Sequence, residues 1–128
     1  FATLAGAARV ALGPDLPPFF SNRSGPVSAI TDMADMQHDP VWPMPLWAPY
    51  MTYLNSPIAD MKNSGGSFAG AVTAALFLEK FVGGKPWMHF DVYGWNPAST
   101  PAHPKGGEIF ALRALYHWLK AGAPGSLS

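Results

Sequence analysis

The sequence predicts an α/β fold, a partial mixed sheet flanked by helices, and two stretches carry that prediction. Residues 68–78 are apolar almost all round, the mark of a helix buried on several sides, as when it packs on a sheet. Residues 87–94 alternate as a strand does, with Trp87, His89, Asp91 and Tyr93 on one face and Met88, Phe90 and Val92 on the other. The second face reads as core. Strands interleaved with helices imply layers, and the strands are too few to close a doubly wound sheet, so a portion of a larger sheet is expected.

The elements follow in order. Residues 1–13 hold small and β-branched residues around Ala7, Ala8 and Val10 and stop at Gly13-Pro14, which reads as a strand entering a turn. A short strand is expected behind the prolines at 17–22. Residues 25–38 predict a helix, with Val27, Ile30 and Met33 at helical spacing and Asp32 and Asp35 opposite. Between 40 and 49 four prolines and two tryptophans forbid a regular helix through most of the segment and demand an ordered, aromatic loop. Pro49 then suits the first position of a short helix through Tyr53. Ser67 stands where an N-cap is expected for the apolar helix, which runs to Gly83-Gly84. Residues 96–107 form a Pro- and Gly-rich loop. Residues 108–120 predict an amphipathic helix with Ile109, Leu112, Leu115 and Leu119 inward and Glu108, Arg113, His117 and Lys120 outward, capped by Gly122. The division expected is a domain portion over 1–122 and a flexible tail over 123–128.

Composition narrows the function. Eight basic residues balance eight acidic ones, so neither nucleic acid nor an anionic membrane has an electrostatic footprint here. The longest apolar run is far short of a membrane span. Cysteine is absent, which removes disulfides, thiolate metal sites and thiol nucleophiles together and agrees with a cytoplasmic location. Charged residues make up 12% of the chain against about 25% in an average soluble protein. So little polar surface implies that part of the chain is covered by other protein. Phe1-Ala2-Thr3-Leu4 lacks the basic region of a signal peptide and begins mid-pattern, so a fragment is expected.

No complete catalytic set can be read from the residues. His89 and Asp91 share a strand face and offer two ligands, but a metal site needs more, and His38, His103 and His117 supply no ligand spacing. A hydrogen-bonded pair holding the strand end is the simpler reading of His89 and Asp91. Ser64-Gly65-Gly66-Ser67 offers an anion nest or, more simply, a sharp turn, and it lacks the phosphate-loop pattern. No GxSxG elbow is present. Asp60 and Lys62 read as a solvated turn. The aromatic set Trp42, Trp47, Tyr50, Tyr53, Trp87 and Trp95 reads as core plus a subunit contact.

Several stretches in order then resemble one family: Ala2-Thr3-Leu4-Ala5-Gly6-Ala7, residues 58–78, and Trp87-Met88-His89-Phe90-Asp91-Val92-Tyr93-Gly94. Phe20-Ser21-Asn22, Trp42-Pro43-Met44-Pro45-Leu46-Trp47 and Pro104-Lys105-Gly106-Gly107 extend the agreement. The chain resembles the C-terminal part of the catalytic domain of M17 leucyl aminopeptidases, whose fold is that of the zinc exopeptidases. The resemblance implies a metalloaminopeptidase that removes N-terminal amino acids from peptides, with two divalent ions, zinc or manganese, and a homo-hexameric assembly. The family's ligands are a lysine, aspartates and a glutamate, the last of them in an NTDAEGR motif that is absent here. Asp60 and Asp91 match positions that do not bind metal. No catalytic residue and no metal ligand is therefore assigned to this chain, which is expected to be inactive alone and to bind no metal.

The resemblance does carry over one side of a substrate pocket: Thr3, Leu4, Gly6, Ser64, Tyr93 and Asn96. Thr3 and Gly6 match residues lining the first side-chain pocket, and Leu4 matches one whose carbonyl accepts a hydrogen bond from substrate. Ser64 lies near the leaving side. Tyr93 and Asn96 stand where the family often places small or apolar residues, which implies a narrower and more polar pocket. Ala5 replaces a usual threonine, residues 25–38 are shorter than usual, and residues 63–67 lack one residue. Two other readings stand beside this one: a noncatalytic binding or assembly module derived from the fold, and an unrelated small hydrolase using His89 and Asp91.

Overall fold

A computed structural model describes residues 1–126. Its centre is a three-stranded mixed sheet ordered β2-β1-β3, in which β1 (Pro18–Ser21) runs parallel to β2 (Trp42–Pro43) and antiparallel to β3 (Met88–Phe90). Phe19 pairs with Phe90 and Phe20 with His89. Because side chains alternate along a strand, adjacent β1 residues enter different cores. Phe19 joins Phe90, Val41 and the helices α2 (Gly25–Met36) and α4 (Leu112–Lys120) through Ile30, Ala34, Ala114 and Trp118. Phe20 joins α1 (Gly6–Leu12) and α3 (Gly70–Glu79) through Ala8, Val72, Ala75 and Leu76. The sheet is thus sandwiched between two helix pairs. The expected core face of β3 holds, since Met88 and Val92 pack beside Phe90. The opposite face is covered as well, by Trp87 against the second cluster.

Four expectations need correcting. Within residues 1–13 only Ala2 behaves as a strand, bridging Asp91, and residues 6–12 are helix. Ala7, Ala8 and Ala11 explain the difference, being the strongest helix formers available. Ser67 is not the cap of α3. That helix begins at Gly70 behind Ala69, whose φ of 54° is left-handed. The preceding chain cannot be its first turn, because Gly65 lies against Thr73, where an added Cβ would fall 2.6 Å from Oγ1. The same helix ends at Glu79, before Gly83 and Gly84. Finally, α4 begins at Leu112 and not at Glu108, leaving exposed Ile109 ahead of it. Its inward face is Ala114 and Trp118 with Leu115 packed beside them as expected, whereas Leu112 and Leu119 are exposed. Small Ala111 and Ala114 let α4 approach α2, and Asp39 holds its start by accepting hydrogen bonds from the Ala111 and Ala114 amides, each at 3.0 Å.

The segment over 40–49 contains β2 and is irregular up to Trp47, and Ala48–Leu54 then forms a 3-10 helix. The loop over 96–107 is closed at its ends by an antiparallel pair, β4 (Trp95–Asn96) with β5 (Gly106–Gly107). In the expected tail, residues 127 and 128 lie outside the described residues. Ahead of them Trp118 Nε1 donates to the Pro124 carbonyl at 3.0 Å and Ala123 packs on the core. Among the described residues no helix is long and apolar enough to cross a membrane.

Candidate functional site

The resemblance-derived residues distribute over three cavities with one shared edge. Leu4, Gly6 and Ser64 line a cavity of about 360 Å³ between the start of α1, the 63–66 segment and α3. Thr3, Gly6 and Tyr93 line a second of about 140 Å³, bounded by Arg9, Pro17, Asp91 and Val92. Gly6 belongs to both, and a Cβ there would meet no heavy atom within 4 Å. Asn96 is apart from the rest, in a third cavity with His103 and Glu108. Its amide nitrogen donates to the His103 and Pro104 carbonyls at 2.9 and 3.0 Å, so it closes its own loop.

What shapes the first two cavities is the fixation of residues 2–5 on β3. The Ala2 amide donates to Phe90 O at 3.1 Å and the Val92 amide to Ala2 O at 3.0 Å. Thr3 Oγ1 donates to Val92 O. The Asp91 carboxylate then takes the next two amides, Leu4 N at Oδ1 (3.0 Å) and Ala5 N at Oδ2 (3.1 Å). A carboxylate bridging successive amides fixes the chain direction at the point where it enters α1, and charge-assisted bonds are the stronger kind. The Leu4 carbonyl accepts none of the hydrogen bonds among the described residues, so it is available to a ligand.

His89 and Asp91 do not form the expected pair. Asp91 spends its oxygens on backbone amides, while His89 Nε2 is buried without a hydrogen-bond partner. The imidazole lies between the Phe20 and Trp87 rings, with both centroid separations 6.0 Å. Burial pushes its pKa below the ordinary 6.5, against the opposing pull of the Asp91 charge. A neutral ring stacked between aromatics is core, and His89 is not poised for acid–base work. Asp60 and Lys62 are both exposed, as expected for a solvated turn. Trp42, Trp47, Tyr53 and Trp95 are exposed as well, while Tyr50 and Trp87 pack on the second core cluster.

The donor set does not fit a divalent-metal pair. Among the described residues no group of three or more His, Cys, Asp or Glu side chains could hold an ion. The pair weighed from the sequence, His89 with Asp91, is committed to stacking and to amide binding. Two roles escaped the sequence reading. Asp91 acts as the clamp of the Thr3–Ala5 segment across 87 residues of sequence, and no local signal points to it. Arg9 places its guanidinium carbon 3.9 Å from the centre of the Tyr93 ring, and only its unusual presence in a run of small residues could have singled it out.

Known proteins share the sequence family and the fold. The profile described as "Cytosol aminopeptidase family, catalytic domain" matches residues 1–116. A probable cytosol aminopeptidase of Picosynechococcus sp. is 42% identical over 120 residues, which is 92% of this chain and 24% of that protein. The crystal structure of cytosol aminopeptidase from Coxiella burnetii superposes with a TM-score of 0.87 at 49% identity, covering 93% of this chain and 26% of that one. The bottromycin maturation enzyme BotP, solved in complex with Mn, superposes with a TM-score of 0.85 at 30% identity, covering 93% and 27%. The chain spans about a quarter of the length of the relatives it matches.

Proposed function

The chain belongs to the cytosol aminopeptidase (M17) family, and from that premise we propose that it forms the pocket-wall portion of a metal-dependent aminopeptidase acting on peptides. The observation that carries the reading is the Asp91 clamp on Leu4 and Ala5, which leaves the Leu4 carbonyl unengaged beside a cavity lined by Gly6 and Ser64. In this reading Leu4 O accepts a hydrogen bond from the peptide, Thr3, Gly6 and Tyr93 line the pocket for its first side chain, and Ser64 borders the leaving side. Asn96 stands apart from these residues and closes the 96–107 loop through the His103 and Pro104 carbonyls. The domain portion is 1–122, with 123–128 an appended tail.

Among the described residues no group of side chains provides the donor set for two divalent ions, so in this reading the chemistry of a zinc or manganese pair belongs to parts of the protein outside these 128 residues. The complex of BotP with Mn supports a divalent metal for the whole enzyme. The chain's own contribution is to bind and orient the peptide and to exclude water from its side-chain pocket. Alone it is inactive. Exposed Trp42, Trp47 and Tyr53 are surfaces that assembly, a homo-hexamer in our reading, would cover. Kinship with cytosol aminopeptidases supports a cytoplasmic location, and the charge balance argues against nucleic-acid and membrane partners.

The test is hydrolysis of leucine p-nitroanilide with added Mn²⁺ or Zn²⁺, run on the 128-residue chain and on a longer protein in which it follows a segment bearing NTDAEGR. Activity in the longer protein alone is the expected result. Activity in the short chain would overturn the division of labour, and inactivity of both would favour the noncatalytic binding or assembly module.

A further inference from the structure

We propose that Arg9 makes the smaller cavity selective for peptides whose N-terminal residue is acidic, aspartate or glutamate. The inference rests on the pocket assignment above and goes further by naming the side chain the pocket accepts.

The cavity lined by Thr3, Gly6, Arg9, Asp91, Val92 and Tyr93 measures about 140 Å³. That is the space of roughly four or five waters, room for a short side chain and too little for a large aromatic one. Its chemistry is set by two residues. Tyr93 comes from the end of the β3 segment and Arg9 from α1, and the guanidinium carbon lies 3.9 Å from the phenol ring centre. None of the hydrogen bonds found among the described residues uses an Arg9 guanidinium N–H, and a guanidinium holds its donors in its own plane. Among the described residues Arg9 has no carboxylate partner: the salt bridge found joins His103 to Glu108. A planar fork of donors beside a small cavity matches the geometry of a carboxylate.

The cavity contains one negative group, Asp91, and it does not compete for Arg9. Its two oxygens accept from Leu4 N and Ala5 N, which holds the carboxylate against the pocket wall with its charge retained, and it makes no ion pair with Arg9. Thr3 Oγ1 is likewise engaged, with Val92 O. Arg9 is the cationic group lining the pocket, and no carboxylate among the described residues pairs with it. Arg9 is exposed, so an N-terminal Asp or Glu offers it a complementary carboxylate, a leucine leaves the guanidinium to water, and a lysine meets like charge.

The experiment uses the longer, metal-loaded protein containing this chain and compares kcat/KM for the p-nitroanilides of glutamate, leucine and lysine, in the wild type and in Arg9→Met and Arg9→Lys. We expect glutamate to exceed leucine by about tenfold or more and lysine to be poorest, because a site built to bind a polar group discriminates strongly against ligands lacking it. In Arg9→Met the glutamate-to-leucine ratio falls by about tenfold or more, mainly through KM for glutamate. Arg9→Lys retains an intermediate ratio. A wild type that prefers leucine, or a ratio unmoved in Arg9→Met, overturns the inference and leaves the aminopeptidase reading intact. Failure to hydrolyse any of the three overturns that reading, and the inference with it.

Discussion

Two segments face each other across the larger cavity, and they are held in opposite ways. Residues 2–5 are fixed by backbone bonds to Phe90 and Val92 and by a carboxylate that takes two successive amides. Residues 63–68 make none of the hydrogen bonds found among the described residues, and Phe68 is 78% exposed. Their one tight fixture is steric, Gly65 against buried Thr73. One wall is positioned by electrostatics and the other by shape. The difference teaches where a substitution costs most: one wall depends on the Asp91 carboxylate, the other on the fit of Gly65 against Thr73.

Breaking the electrostatic wall is the strongest test of that contrast. Asp91→Ala leaves the Leu4 and Ala5 amides without acceptors, at roughly 1–3 kcal/mol for each partly buried donor. A total loss of about 2–4 kcal/mol is expected from denaturant unfolding of the 128-residue chain, with hydrogen exchange accelerated at Leu4 and Ala5. Asp91→Asn retains one acceptor oxygen and should lose about half as much. Equal losses in the two variants would mean that bulk, not the paired acceptors, holds the segment. On the opposite wall, Gly65→Ala drives a methyl to within 2.6 Å of Thr73 Oγ1, an overpacking that costs about 1–3 kcal/mol. Thr73→Ala removes two of the three crowding atoms and should recover part of that loss in the double variant. Additive costs would show that the two residues do not press on each other.

The same contrast explains how much could be read in advance. Alternation marked β3, prolines bounded β1, and both survive because strand periodicity and missing amides are local signals. The helix at residues 6–12 was hidden by Val10 among alanines, which resemble a small-residue strand entering a turn. The face of α4 was misjudged because large apolar residues were counted inward, whereas close packing selected Ala114 and Trp118. Of the site, Thr3, Leu4 and Gly6 were legible only through resemblance. The Asp91 clamp was illegible, since a contact spanning 87 residues leaves no spacing to recognise.

A third prediction probes the strand behind the fixed wall. His89 is buried with Nε2 unpaired, and burial holds its pKa below 6.5. A group whose protonated form is disfavoured by folding binds protons more readily when unfolded. Stability is therefore complete above about pH 6.5 and falls as pH drops from there towards the lowered folded value. Unfolding midpoints measured across that window should decline in the wild type. His89→Phe preserves the stacking between Phe20 and Trp87 and removes both the charge and the orphaned nitrogen, so this part of the decline should vanish. A persistent, unchanged decline would assign it to other titrating groups.

The smallest effect is expected at the edge both cavities share. Gly6 opens α1, its φ is not left-handed, and an added Cβ meets no heavy atom within 4 Å. Gly6→Ala should therefore fold as well as the wild type or gain about 0.4–1 kcal/mol, because alanine restricts the unfolded chain. In the longer enzyme the same methyl narrows the space available to substrate, so peptide hydrolysis should weaken while the melting temperature holds or rises. The two readouts separate a site glycine from a structural one. If the melting temperature fell with activity, residue 6 would be confined as Gly65 is, and shape would hold both walls.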